Sequence, residues 1–178
     1  KPSYAAPAAF LAGPIYDGST FVGILAVQMP VNEINQVLTG GKHWEQDGLG
    51  KSGETYLVGE DYLMRSISRF LIEDKAGYEE ALRSTGTPSR IVNLIDQLDT
   101  SILLQRVNTE AAQEAIAGQE GTQIIKDYRG VPVLSSYAPV NLPGLQWAIL
   151  SEMDLAEAYQ SVYSLQTYLL ISTVILML

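Results

Sequence analysis

The most constraining feature of this sequence is its C-terminal stretch, because no charged residue follows Glu157. The 21 residues from Ala158 to Leu178 are uncharged, and the last 14, from Leu165 onwards, are strongly apolar. As a helix, this apolar part spans about 21 Å, whereas the core of a bilayer is about 30 Å thick. It predicts either a buried core helix or, as we favour, part of a transmembrane helix. The N-terminal Lys1-Pro2-Ser3 shows no initiator methionine or signal peptide, so we expect a segment of a longer protein.

The composition excludes several classes of function. Of 178 residues, 20 are acidic and 11 basic, and the net charge of −9 argues against a nucleic-acid partner, which requires a basic face. The hydrophobic content of 47% is sufficient for the core of one domain. The sequence has no cysteine and a single histidine, His43, so thiolate metal sites and cysteine nucleophiles are excluded. We expect no cofactor, no metal and no catalytic residue.

The N-terminal part of the sequence reads as two strands followed by a helix. Residues 10–29 predict two apolar strands joined by a turn at Asp17-Gly18-Ser19. Apolar residues at helical spacing between positions 31 and 38 predict an amphipathic helix. Residues 41–53 are polar and rich in glycine, and they predict a linker.

The rest of the sequence predicts an α+β class, with an antiparallel sheet of five to six strands flanked by helices. Asp154 and Glu157 form a capping-box pattern that starts the terminal helix. The predicted strands are 54–59, 62–67, 122–128, 131–140 and 145–152, and the predicted helices are 88–98 and 110–117.

Two strand-to-helix exits in the sequence resemble each other. Residues 23–33 can be aligned with residues 147–157 at an offset of 124, so that Met29 aligns with Met153. The match predicts that the chain holds the end of one structural unit and one complete copy of a similar unit.

Four segments occur in an order that is typical of one class of sensor domain. The first, Gly50–Val58, carries the pattern GxxGxxYL, and the others are 64–70, 127–134 and 147–152. Together they resemble the PAS-like unit of the Cache superfamily. Members of that superfamily are extracytoplasmic sensor domains of bacterial transmembrane receptors.

The resemblance implies a division of the chain into three segments. Residues 1–40 would be the last strands and exit helix of an incomplete membrane-distal unit, and residues 41–154 a membrane-proximal unit. Residues 155–178 would be a signalling helix and a truncated transmembrane helix. The resemblance also implies a parallel homodimer, a periplasmic or extracellular globular part, and a membrane attachment through the terminal helix. An output activity such as a cyclase, kinase or phosphatase would lie outside this chain.

The predicted functional site is a ligand pocket on a concave face of the sheet. A small anionic or zwitterionic molecule needs an arginine or main-chain N–H groups for its carboxylate, and aromatic walls that exclude water. Tyr56, Tyr137 and Trp147 are equally compatible with core positions, and Glu152 could instead pair with an arginine to lock the sheet. The candidate ligand-binding residues are Tyr56, Arg65, Ser66, Ser68, Arg69, Tyr128, Tyr137, Trp147 and Glu152.

Three functions remain open at this level. The first is a sensor module that binds a small molecule, or relays its binding, and shifts the terminal helix. The second is a ligand-free spacer and dimerisation module next to the membrane. The third is an extracytoplasmic hydrolase that uses a carboxylate pair, for which the sequence offers no motif.

Overall fold

The computed structural model of the protein describes residues 7–29, 31–142 and 144–177, so the outer ends of the first and third predicted segments lie outside it. The strands are β1 (Ala9–Asp17), β2 (Thr20–Met29), β3 (Glu54–Gly59), β4 (Gly121–Lys126), β5 (Pro132–Leu142) and β6 (Leu145–Asp154). The helices are α1 (Val31–Leu38), α2 (Arg69–Glu73), α3 (Lys75–Ser84), α4 (Ser89–Leu98), α5 (Glu110–Ile116), α6 (Leu155–Ala158) and α7 (Gln160–Met177).

The strands form two separate antiparallel sheets. One has four strands in the order β3-β6-β5-β4, and the other is the ribbon of β1 and β2. The predicted α+β class with antiparallel strands flanked by helices is therefore confirmed. The expected sheet of five to six strands is wrong in its count, because in the described part of the chain this sheet has four strands. The ribbon of β1 and β2, which was expected to belong to a separate unit, pairs only with itself in the residues that the structure describes.

The strand predicted at residues 62–67 is also absent from the sheet. Tyr62 has a φ of 60°, and only an isolated bridge joins Val58 to Met64. The main-chain N–H of Leu57 donates to Oγ of Ser66 at 3.0 Å. The Ser66 side chain thus accepts the hydrogen bond that the main chain of a regular strand partner would have accepted. The segment therefore lies along the edge of β3 as a loop.

The core lies between one face of the four-stranded sheet and helices α2–α5. Alternate residues of each strand point to the same face, so Tyr56 and Val58 of β3 meet Ala148 and Leu150 of β6 on the buried side. Helix α5 presents small residues to the sheet, and a short side chain lets a helix approach closely. The helical side of the core includes Leu82, Val92, Ile95, Ala111, Ala112 and Ala115, all fully buried.

The C-terminal helix leaves the last strand directly. The N–H of Tyr159 donates to the carbonyl of Leu155, and the N–H of Tyr163 donates to the carbonyl of Tyr159, so helical bonding continues between α6 and α7. Among the described residues, no helix is both long and apolar enough to cross a membrane.

Candidate functional site

A row of polar side chains crosses the buried face of the sheet, with one residue from each strand. Gln123 of β4 pairs with Ser135 of β5, Ser135 pairs with Glu152 of β6, and Glu152 pairs with Glu54 of β3. Residues that are directly opposite in an antiparallel ladder point to the same face. We call these four residues the polar row. They place two carboxyl groups side by side in the protein interior.

Glu54 is buried in a shell of uncharged donors. Its side chain is 2% exposed and accepts hydrogen bonds from the hydroxyl of Tyr128 at 2.7 Å and from the main-chain N–H of Arg69 at 2.6 Å. The hydroxyl of Tyr128 also lies 2.9 Å from that of Ser68. Burial raises the pKa of Glu54, because removal from water disfavours the charged form more than these donors favour it.

Glu152 has a similar environment on the neighbouring strand. It is 4% exposed and accepts hydrogen bonds of 2.8 Å from the hydroxyls of Tyr56 and Ser135. Burial raises the pKa of Glu152 to about 7, and the nearby charges of Asp127 and Glu54 act in the same direction. Burial also raises the pKa of Tyr56 well above its ordinary value, so its hydroxyl remains a donor at physiological pH.

An arginine connects the β4–β5 turn to the end of β6. Arg129 forms ion pairs with Asp127 at 2.6 Å and with Asp154 at 2.7 Å, and its guanidinium carbon lies 3.6 Å from the centre of the Phe70 ring. Its side chain is 10% exposed. Such a planar cation can serve two carboxylates and an aromatic face at once. The turn that carries Tyr128 is therefore fixed to the residue at which the exit helix begins.

The exit helix is also attached to the loop that leads into β3. The side chain of Glu157 accepts hydrogen bonds from the main-chain N–H groups of Lys51 at 2.8 Å and Ser52 at 2.7 Å, and from the Ser52 hydroxyl. Oγ of Ser52 in turn accepts the N–H of Asp154 at 3.1 Å. The bonds from Lys51 and Ser52 lower the pKa of Glu157. We call Ser52, Asp154 and Glu157 the helix clasp.

The helix clasp replaces the capping box that the sequence predicts. The Asp154 side chain makes no capping hydrogen bond to the helix, because its carboxylate is engaged by Arg129. Glu157 likewise points to the 51–52 loop instead of returning to the N-cap residue. Two residues expected to stabilise the helix locally are thus used for long-range attachment.

Arg69 holds the same loop from the other side. Its guanidinium donates to the carbonyls of Gly53 and Gly50, pairs with Glu73 at 2.8 Å, and lies 4.7 Å from the centre of the Trp44 ring. Arg69, which was predicted to bind a ligand, thus positions the main chain just before Glu54.

The structure brings some of the predicted site residues together and separates others. Tyr56, Ser68, Tyr128 and Glu152 belong to the network around the polar row, and Ser66 lies beside it on Leu57. Besides Arg69, three others lie elsewhere: Arg65 pairs with Asp61, Tyr137 donates to Glu114, and Trp147 lies opposite Gly59 near the far end of β6. A ligand-binding role for these residues stays a prediction.

Sequence reasoning missed Glu54, Asp127 and Ser135. One signal was available for Glu54, because it precedes Tyr56 by two positions in a strand and therefore shares its face. The contribution of Ser135 depends on the register between β5 and β6, which no local pattern fixes. Arg129, in the β4–β5 turn, has a structural role through its ion pairs with Asp127 and Asp154.

A polar groove of about 500 Å³ lies on the other side of this network. Asp127 and Tyr128 form part of its lining, together with Arg106 and Lys126. Arg106 lies 5.7 Å from the centre of the Tyr62 ring and remains exposed, and Lys126 forms no ion pair within the described part of the chain. The groove can therefore offer two cationic side chains to a carboxylate, beside the acidic side chain of Glu110 in the same lining. In the residues that the structure describes, no cluster of three or more His, Cys, Asp or Glu side chains is placed to hold a metal ion.

Comparison with known proteins identifies the fold. The chain resembles the periplasmic sensory domain of the Campylobacter jejuni chemoreceptor Tlp1, with a TM-score of 0.53 and 16% identity over 83% of this chain and 43% of that one. It also resembles the ligand-binding domain of the Pseudomonas aeruginosa PAO1 amino acid chemoreceptor PctC, solved in complex with GABA. There the TM-score is 0.50 and the identity 15%, over 86% of this chain and 52% of that one.

The comparisons confirm the predicted fold, which this chain shares with these two solved domains. The chain spans about half the length of the solved domains that it resembles. No protein-family model matches the sequence, and no curated protein is significantly similar to it.

Proposed function

We propose that this chain is the extracytoplasmic sensor module of a signalling receptor, which passes a change in its sheet to the exit helix. The observation that carries the proposal is the helix clasp. Glu157 is bonded to the loop before β3, and Asp154 is joined through Arg129 to the turn before β5. A movement of either edge of the polar row therefore acts on the same first turn of the helix.

The groove beside Arg106 and Lys126 is the proposed site for a small molecule. The two cations and the nearby Glu110 in the same lining favour a zwitterionic ligand, whose carboxylate Arg106 and Lys126 would bind. The groove is lined by Asp127 and Tyr128, so a bound molecule would contact the turn that Arg129 attaches to the exit helix. The PctC domain, which has a related fold, was solved with GABA, a zwitterionic amino acid.

A binding experiment tests this site. The chain is titrated calorimetrically with GABA, with proteinogenic amino acids and with small dicarboxylates. We expect at least one to bind, and we expect Arg106→Ala to remove the binding while Arg90→Ala, an exposed arginine on α4, retains it. Binding that persists in Arg106→Ala would move the ligand to another site. Absence of binding throughout this panel would favour the ligand-free spacer module.

A second experiment tests the relay. In a receptor that carries this chain, insertion of Gly-Gly after Tyr159 interrupts the helical bonding between α6 and α7. Glycine lowers helix stability by about 1 kcal/mol per residue, so the insertion should uncouple the helix from the sheet. We expect loss of the response with an unchanged ligand affinity. An undiminished response would contradict the relay.

The N-terminal ribbon supports the further proposal that residues 1–40 belong to a second unit. Large apolar side chains on both faces are exposed, among them Leu11 and Ile24 at 65% and 66%. A two-stranded ribbon is marginally stable by itself, and apolar faces of this kind are normally covered. The greater length of the related domains is consistent with such a unit.

A further inference from the structure

The two carboxyl groups of the polar row have an unusual set of neighbours. Glu54 and Glu152 are register partners on adjacent strands, which places their Cβ atoms about 4.5–5.5 Å apart. Both are almost completely buried. Among the ion pairs of the described residues, none includes either carboxyl group. The interior therefore offers no directly bonded cation to offset two adjacent negative charges.

The nearest cations are committed to other partners. Arg129 is bonded to Asp127 and Asp154, and the guanidinium of Arg69 is bonded to Glu73 and to two main-chain carbonyls. Arg69 contributes only its main-chain N–H to Glu54.

Apart from these two arginines, every titratable neighbour of the pair is a neutral tyrosine or another acid. The groups facing the pair are Tyr56 from β3, Tyr78 from α3, and Asp127, Tyr128 and Arg129 from the β4–β5 turn. Helix α5 presents buried alanines to the sheet, and its Glu114 is bonded by Tyr137.

One further polar atom of the row lacks a partner. Nε2 of Gln123 is buried. Among the described residues, it is the single buried side-chain nitrogen or oxygen without a hydrogen-bond partner. The row thus ends, at β4, in a buried donor that has no hydrogen-bond partner.

We propose that Glu54 and Glu152 form a proton-binding site that controls the attachment of the exit helix. With one proton bound, the pair carries a single negative charge and the ends of β3 and β6 stay together. Loss of that proton leaves two adjacent charges, which repel each other and separate the ends of the two strands. Both ends lead into the helix clasp, through Ser52 on one side and Asp154 on the other. Proton release should therefore loosen the first turn of the exit helix.

Proton binding can be tested in the isolated chain, and only its effect on output rests on the proposed function. The experiment follows the infrared C=O stretch of a protonated carboxyl group between pH 5 and 8. In the wild-type chain we expect a band that persists where exposed carboxyl groups are ionised and disappears near pH 7, where burial places the pKa of Glu152. Glu152→Gln, which is isosteric with the protonated acid, should lack the part of this band that disappears near pH 7.

A matched control and a second variant keep the test decisive. Glu120→Gln changes an exposed glutamate before β4 and should retain the band. Glu54→Gln removes the neighbouring charge, so the remaining titration should shift to lower pH. A wild-type chain without the band, or an unchanged midpoint in Glu54→Gln, would overturn the proposal.

The coupling to the helix is read by hydrogen exchange of the amides of residues 155–159, corrected for the intrinsic pH dependence. Protection should fall as the pH rises through 7 in the wild-type chain and in Glu120→Gln, and should stay constant in Glu152→Gln. Equal pH profiles in all three proteins would overturn the control of the helix by the proton. Because this readout needs no receptor, its outcome is independent of whether the module signals.

Discussion

Ser52 and Glu157 are 105 positions apart in sequence and are joined by a hydrogen bond of 2.7 Å from the Ser52 N–H to the Glu157 carboxylate. The contact links the loop before the first strand of the four-stranded sheet to the first turn of the exit helix. Because it uses a main-chain donor, its strength depends on the shape of the loop as well as on the serine side chain. The loop shape is set by Arg69, which binds the carbonyls of Gly50 and Gly53.

Replacing Glu157 by glutamine should weaken this attachment. A hydrogen bond to a charged acceptor contributes about 1.5–3 kcal/mol, and because Glu157 is only partly buried we expect a loss near the lower value. Hydrogen bonds from Lys51 and Ser52 lower the pKa of Glu157 in the folded state, so its contribution is present above about pH 4.5 and is lost as the pH falls through the folded pKa. Urea unfolding at pH 7 and pH 3 measures the difference. An equal effect at both pH values would contradict this account.

Replacing Arg129 by alanine should have a larger effect. The substitution leaves Asp127 buried without its partner, and removal of one member of a buried ion pair costs about 3–5 kcal/mol. Arg129→Lys should recover only part of the loss, since an ammonium group cannot pair with two carboxylates and stack on Phe70 as the planar guanidinium does. Chemical denaturation measures both variants. Arg90→Ala is the matched control on an exposed surface, and a comparable loss in it would show that the charge alone matters.

Gly53→Ala should destabilise the loop before β3. A Cβ at this position would lie 2.0 Å from the carbonyl oxygen of Leu49, which is main chain and cannot move away by a side-chain rotation. We expect a loss of about 1–3 kcal/mol, similar to other overpacked sites, and faster hydrogen exchange at residues 51–53. Gly23→Ala in β2 is the control, because no atom lies within 4 Å of its added Cβ. Similar melting temperatures for the two variants would contradict the steric argument.

The stability of the wild-type chain should fall as the pH rises from about 4.5 to 7. Burial raises the pKa of Glu152 from 4.5 to about 7, so the folded state binds a proton that the unfolded state has released in this interval. The linkage corresponds to an increase of roughly a hundredfold in the unfolding equilibrium constant, with little change from this group above pH 7. Equilibrium denaturation across this range measures it. Glu152→Gln should flatten the profile, and a profile as steep as that of the wild type would exclude Glu152 as its source.

The sequence by itself determined the local elements. Helical spacing of apolar residues predicted α4, the strands predicted at 122–128 and 131–140 correspond to β4 and β5, and the four quoted segments led to the fold that the solved structures share. These features depend on residues that are close in the chain, where backbone preferences and side-chain alternation act directly.

Only the tertiary structure decided which polar side chains meet. The register of β3, β6, β5 and β4 sets Glu54 beside Glu152 and brings Ser135 to the same row. The capping-box residues show the same limit, because Asp154 and Glu157 bind Arg129 and Ser52 in preference to their own helix. The physical reason is that their partners come from segments far apart in sequence, which only the packing of the sheet against its helices brings within hydrogen-bonding distance.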